Sequence, residues 1–327
     1  MLAFVLRRLF QAALVMLAVA FVAFSLFNYV GDPVNMMVGQ DATPEQKQEL
    51  RESLGLDKPQ YVQFAVFVKN ALHGDFGLSL KQGRLVSTLI KERMPATLEL
   101  AFVAGALALL GGLLMGVYTA LRRDGWLSQF LLTVSLIGVS LPNFLIGILL
   151  ILLFAVTLPW LPSYGRGEVT SLGWWTTGFL TTSGWRALVL PAVTLSLYPM
   201  TLIMRLVRSE MLEVLRTDYI KFARARGLTD RAVHFGHALK NTMVPVMTIT
   251  GLQLGSIIAF AIVTETVFQW PGMGFLFIQS VQFADIPVMA AYLVLISLVF
   301  VTINLIVDLL YYVVDPRLRI ERTAGAH

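Results

Sequence analysis

Charge in this chain gathers where Asp218, Lys221, Arg224, Arg226, Asp230 and Arg231 flank Gly227, between two long apolar runs. Bond-making chemistry finds no foothold. His234 and His237 stand three apart without the intervening Glu-x-x of a metalloprotease helix and read as polar loop surface. With His73 and His327 the only other histidines, no Ser/His/Asp constellation falls inside an apolar segment. The absence of cysteine excludes disulfides, thiolate metal sites and cysteine nucleophiles. No Gly-x-x-x-x-Gly-Lys-Ser/Thr occurs, so the chain has no loop to cradle nucleotide phosphates. If it moves a solute uphill, the energy comes from a partner.

The elements that position the basic segment belong to a membrane protein. Of 327 residues, 57% are hydrophobic and 14% charged, with a mean hydropathy of +0.73. Uncharged stretches long enough to cross a bilayer lie at 9–30, 97–120, 129–158, 187–207, 242–264 and 288–313, giving six expected spans and an all-α polytopic fold. Arg7-Arg8 before an apolar run ending Ala18-Val19-Ala20 imitates a signal peptide, but the run continues to Val30 and reads as a retained first helix. Pro142 implies a kink or tilt in the third span, and Pro191 and Pro199 a bend at the start of the fourth.

The net charge of +5 and sequence pI near 9.5 sort by membrane side and need no nucleic-acid partner. Arg7 and Arg8, Arg122 and Arg123, Arg205 through Lys240, and Arg317, Arg319 and Arg322 alternate with a 265–287 connection that has Glu265 and Asp285 but no Lys or Arg. Both termini and the basic segment are therefore expected in the cytoplasm. The other side receives 31–96, where Thr43, Pro44 and Gly55 frame a short helix, and the loop 159–186. Trp160, Trp174, Trp175, Trp185 and Trp270 read as an aromatic belt.

The spans themselves are poor in ionisable groups. Glu99, Glu265 and Asp308 come nearest, each toward a helix end, which speaks against a secondary transporter or channel and leaves no catalytic pair for an intramembrane enzyme. Asn304 and Asp308 share a face, open to pairing with a cation or to interfacial packing. Gly112-x-x-x-Gly116 and Gly251-x-x-x-Gly255 suit close helix approach within the chain. No repeat or low-complexity linker is found, so residues 1–327 read as a single transmembrane domain.

Within 212–241, Leu212, Leu215, Tyr219, Phe222 and Ala223 fall on one helical face, opposite Thr217, Lys221 and Arg224. Gly227 reads as the left-handed residue after a helix, and Thr229 as the N-cap of a second helix from Asp230 toward Lys240. The expected object is helix, tight turn, helix.

These residues resemble the cytoplasmic signature of the membrane permeases of binding-protein-dependent ABC importers: Glu-Ala-Ala, three residues, Gly, nine residues, Ile-x-Leu-Pro. Lys221-Phe222-Ala223, Gly227 and His237-Ala238-Leu239-Lys240 occupy those positions; Ala223, Gly227 and Leu239 match, whereas the Glu, Ile and Pro do not. The peptide-type branch is similar nearly throughout, through "DYIKFARARGLTDRAV", "HALKNTMVPVMTITGLQLG", "TETVFQWPGMG", "NLIVDLLYYVVDPRLR", "GDP", "LGLDKP", "HGDFGLSL" and "ATLEL". The resemblance implies a type I importer permease of the bacterial inner membrane, carrying dipeptides or oligopeptides, with glutathione or nickel complexes as other cargoes of the branch. It further implies a second related permease, cytoplasmic ATPases that bind ATP and Mg, and an extra-cytoplasmic solute-binding protein. No cofactor is expected in this chain. Carried over, the ATPase-coupling element is Ala223, Arg224, Ala225, Gly227, Leu228, Thr229 and Asp230.

Overall fold

The computed structural model describes residues 2–29, 34, 43–53 and 56–314. The Gly31-Asp32-Pro33 motif, the helix stop expected at Gly55 and the basic tail Arg317, Arg319 and Arg322 lie outside the described residues. In chain order the helices begin with α1 (Leu2–Tyr29), α2 (Pro44–Ser53), α3 (Gln60–Leu72) and α4 (Val86–Leu121). Next come α5 (Trp126–Ser140), α6 (Asn143–Ile151) with a π-helical continuation Leu152–Thr157, and a hairpin of β1 (Thr170–Leu172) and β2 (Trp175–Thr177). Then follow α7 (Thr182–Val214), α8 (Asp218–Ala225), a π-helical segment Ala232–Ala238 that runs into α9 (Leu239–Val267), α10 (Met273–Gln282) and α11 (Ile286–Val314).

Among the described residues five helices, α1, α4, α7, α9 and α11, are each long and apolar enough to cross a bilayer, and α5 with α6 makes a sixth if the pair counts as one span. The expected kink at Pro142 is in fact a break: the two helices meet at 112°. Proline disfavours helical geometry in the residue before it, and Leu141 is extended with ψ at 139°. Pro142 then caps the start of α6. By contrast, α7 continues through both Pro191 and Pro199.

Two other boundaries differ from expectation. The second span begins at Val86, so the end of the 31–96 segment is helical. Lys91, Glu92 and Arg93 interrupt the apolar run there, yet Val86, Leu89 and Ile90 bury one face against Met273, Leu276 and Val288. The 159–186 loop carries the antiparallel β1–β2 hairpin, with Leu172 opposite Trp175, before helix α7 starts inside it. At α2, Thr43 caps as expected: the Gln46 N–H donates to Thr43 Oγ1 at 3.3 Å, and the Thr43 N–H donates back to Gln46 Oε1 at 3.1 Å.

The core forms where α4, α7 and α9 meet. Leu100, Ala104 and Ala108 of α4 bury against Leu195, Ile203 and Val207 of α7 and Ile257, Ile258 and Ala261 of α9. Glycines set the spacing. A Cβ at Gly112 would stand 2.8 Å from Ile203 Cβ, and one at Gly116 2.6 Å from Val207 Cβ. Gly251 and Gly255 of α9 likewise admit Val307 and Phe300 of α11. Both small-residue motifs thus serve packing within the chain. Helix α1 lies against α11, where Arg8 Nη2 donates to Asp308 Oδ1 at 2.9 Å, the pairing with a cation left open by the sequence.

Candidate functional site

The basic segment forms a projection between two long helices. Helix α7 ends at Val214, and Thr217 starts α8 afresh, so the continuous amphipathic helix expected from Leu212 is interrupted at Leu215–Thr217. The interruption changes which side chains face inward. Ile220 and Ala223 are buried, together with Met211, Val233 and Ala238, whereas Phe222 is 64% and Tyr219 41% exposed. Tyr219 keeps a structural task, because Asn241 Nδ2 donates to its hydroxyl at 2.5 Å and ties α8 to α9.

Gly227 makes the turn. Its φ of +77° lies in the left-handed region. The Gly227 N–H donates to Arg224 O at 2.9 Å and the Leu228 N–H to Ala223 O at 3.3 Å, the paired bonds of a Schellman cap. Thr229 then starts the next helix, its Oγ1 accepting from the Ala232 N–H at 3.4 Å. That helix enters α9 through the π-helical segment instead of ending near Lys240. Arg224, Ala225, Gly227, Leu228, Thr229 and Asp230 are all exposed, while the Ala223 methyl is buried and anchors the turn. The structure thus brings all seven residues into one capped knuckle on a buried footing. It is a charged, exposed protrusion that runs on through the π-helical segment into α9.

The opposite end of the molecule is held by carboxylates that the sequence marked only by their charge. Glu265 is fully buried and accepts from Thr97 Oγ1 at 2.6 Å and from the Phe275 N–H at 2.9 Å. Thr97 Oγ1 in turn accepts from the Met273 N–H at 2.8 Å. Gly272 lies so close to this carboxylate that a Cβ there would overlap it. Trp270, expected in the aromatic belt, is instead buried and donates through Nε1 to Ala96 O at 2.9 Å. Trp160, Trp174 and Trp185 are exposed. Asp285 is also buried, accepting from Ser79 Oγ at 2.5 Å and the Leu80 N–H at 3.1 Å, which docks the 73–85 turn onto the start of α11.

Glu99 forms a third buried centre. Its Oε2 accepts from Arg166 Nη2 at 2.6 Å, and Arg166 also donates to Thr176 Oγ1 at 3.0 Å and to Thr176 O at 2.7 Å. The pair holds the β1–β2 hairpin against α4. Beneath it lies a cavity of about 450 Å³ lined by α4, α9, α11, Trp175 and Phe179. The signal for Glu99 was its place near the start of an apolar run; its partner Arg166 sits in a loop where no periodicity applies.

The chain matches two family models, the binding-protein-dependent transport system inner membrane component over residues 112–320 and the N-terminal part of such membrane components over residues 1–101. It is 39% identical over 336 residues to the di/tripeptide transport system permease protein DppB of Pseudomonas aeruginosa, covering 98% of this chain and all of that one. It is 36% identical over 332 residues to the dipeptide transport system permease protein DppB of Alkalihalophilus pseudofirmus, again covering 98% of this chain and all of the relative. The glutathione transport system permease protein GsiC of Escherichia coli K12 is 36% identical over 320 residues, 98% of this chain and 99% of that protein. Among solved structures, an inward-facing conformation of the MetNI methionine ABC transporter is similar in fold, with a TM-score of 0.56 at 20% identity over 69% of this chain and 96% of the matched one.

Proposed function

Because the chain belongs to the inner membrane components of binding-protein-dependent transport systems, we propose that it lines half of a pathway through which an ATP-driven importer admits peptides. The protein is a multi-pass permease subunit of an ABC importer, with the type I fold, and not an enzyme. Peptides are the favoured cargo because two of the relatives described are named for di- or tripeptides and one for glutathione, itself a tripeptide.

In this reading residues 1–327 act as one transmembrane domain with both termini in the cytoplasm. A second related permease completes the path, ATP and Mg bind cytoplasmic partner subunits, and a solute-binding protein docks on the outer segments. The single observation that carries the coupling role is the knuckle at Gly227: Arg224, Ala225, Leu228, Thr229 and Asp230 are exposed together, on a turn whose base at Ile220 and Ala223 is buried in the helical core. Motion imposed on it by closing ATPases passes into α7 and α9 and rocks the spans between two access states.

The test is reconstitution of the complex with its ATPases and binding protein, followed by asking which ligand stimulates ATP hydrolysis. A Gly227→Val variant disfavours the left-handed turn by about 1–2 kcal/mol, and no atom near Gly227 confuses that with a steric clash. Stimulation by substrate is expected to fall several-fold in Gly227→Val and to persist in Gly227→Asn, since Asn tolerates this conformation. Equal stimulation in both assembled variants counts against the coupling role.

A further inference from the structure

The cavity under the β1–β2 hairpin has a composition that suits a particular part of a peptide. Leu98, Ala101 and Phe102 of α4, Leu254 and Ile258 of α9, Ile303 of α11, and Trp175 and Phe179 make its wall almost wholly apolar. Leu254 and Ile258 lie near the midpoint of α9, and Ile303 near that of α11, so the cavity reaches from the hairpin toward the middle of the membrane. Transporter substrate sites are found at that depth. At about 450 Å³ it is within the range of roughly 300–1,000 Å³ typical of small-molecule sites.

One polar group interrupts the apolar wall. Glu99 is 4% exposed, and while its Oε2 is held by Arg166, its Oε1 is buried without a hydrogen-bond partner. An unmet buried acceptor of this kind invites a donor. Arg166 already balances the carboxylate's charge, so an uncharged N–H suffices. An apolar space beside one acceptor is complementary to a side chain together with the N–H of its own backbone.

We propose that this cavity is a subsite of the translocation path that takes one apolar side chain of a passing peptide, with Glu99 Oε1 accepting a hydrogen bond from that residue's N–H. This rests on the reading of the cargo as peptide. Because Oε1 is buried, engagement accompanies a rearrangement of the cavity wall during alternating access. Selectivity here is by volume and is added to whatever the binding protein selects.

The test uses the reconstituted complex and compares uptake of Ala-Phe with that of Gly-Gly, each variant serving as its own reference. Ala101→Leu fills the cavity and is expected to lower the Ala-Phe to Gly-Gly ratio on the order of tenfold. Ile258→Ala enlarges it and is expected to raise uptake of Ala-Trp relative to Gly-Gly. Replacing both partners, Glu99→Met with Arg166→Met, leaves no lone buried charge and is expected to reduce uptake of all three dipeptides several-fold. A dipeptide with a photoreactive phenylalanine is expected to crosslink to residues 98–102, 175–179 or 254–258. Unchanged ratios in the assembled variants, or crosslinks confined to other residues, overturn the subsite while peptide-stimulated ATP hydrolysis leaves the cargo reading intact. Unchanged uptake in the double variant overturns the role of Glu99. Failure of every dipeptide to stimulate the unaltered complex overturns the cargo reading and the subsite with it.

Discussion

Glu265 ends α9 with its carboxylate enclosed, a placement costly for a polar group unless donors meet it. Thr97 supplies one from α4 and Phe275 another from α10, and the absence of a side chain at Gly272 makes room for them. Gly272→Ala is therefore expected to destabilise the protein by about 1–3 kcal/mol, typical of overpacking, seen as a lower midpoint in a thermal assay of the purified permease. Thr97→Val removes a donor while keeping the shape and is expected to cost about 1–3 kcal/mol. A midpoint unmoved by either change would refute the enclosure as a structural centre. Little of this was legible in advance. The sequence showed Glu265 as an acidic residue in a connection without Lys or Arg, but its donor Thr97 lies 168 residues away in the chain. Gly227 was readable because its turn is local: the cap bonds join residues at most five apart.

Among the elements, α4 packs closely against α7, where Gly116 leaves no space for a Cβ beside Val207. Gly116→Leu is expected to push these helices apart and lower the yield of assembled complex, again by about 1–3 kcal/mol or more. Gly236→Ala is the control, since nothing lies within 4 Å of a Cβ there. Comparable losses from both would show that helix spacing is not the cause. Small-residue spacing alone suggested packing within the chain, and it is what the glycines do. The sharp break at Pro142 was only partly foreseeable. A proline removes a backbone donor and disfavours helical geometry in the preceding residue, but Pro142 separates two helices whereas Pro191 lies within one. Packing decides between these outcomes: Pro191 is buried among core residues of α7, while Leu136, Ile137 and Val139 before the break are exposed.

At the scale of the whole molecule, the orientation proposed from the basic residues is directly testable because the chain has no cysteine. Ser171→Cys in the hairpin is expected to react with an impermeant maleimide on intact spheroplasts. Asp124→Cys, at a side chain 93% exposed, is expected to react only after permeabilisation. The reverse pattern would invert the proposed topology. Membrane class, the approximate spans and the glycine-centred turn were determined by the sequence itself, because hydrophobic length, charge asymmetry and capping are properties of contiguous residues. Tertiary structure alone decided that Phe222 faces outward, that Trp270 is buried, that Arg166 reaches Glu99 and that a cavity opens beneath the hairpin. Those features arise from residues distant along the chain, and their partners are set by how the helices pack rather than by any local period.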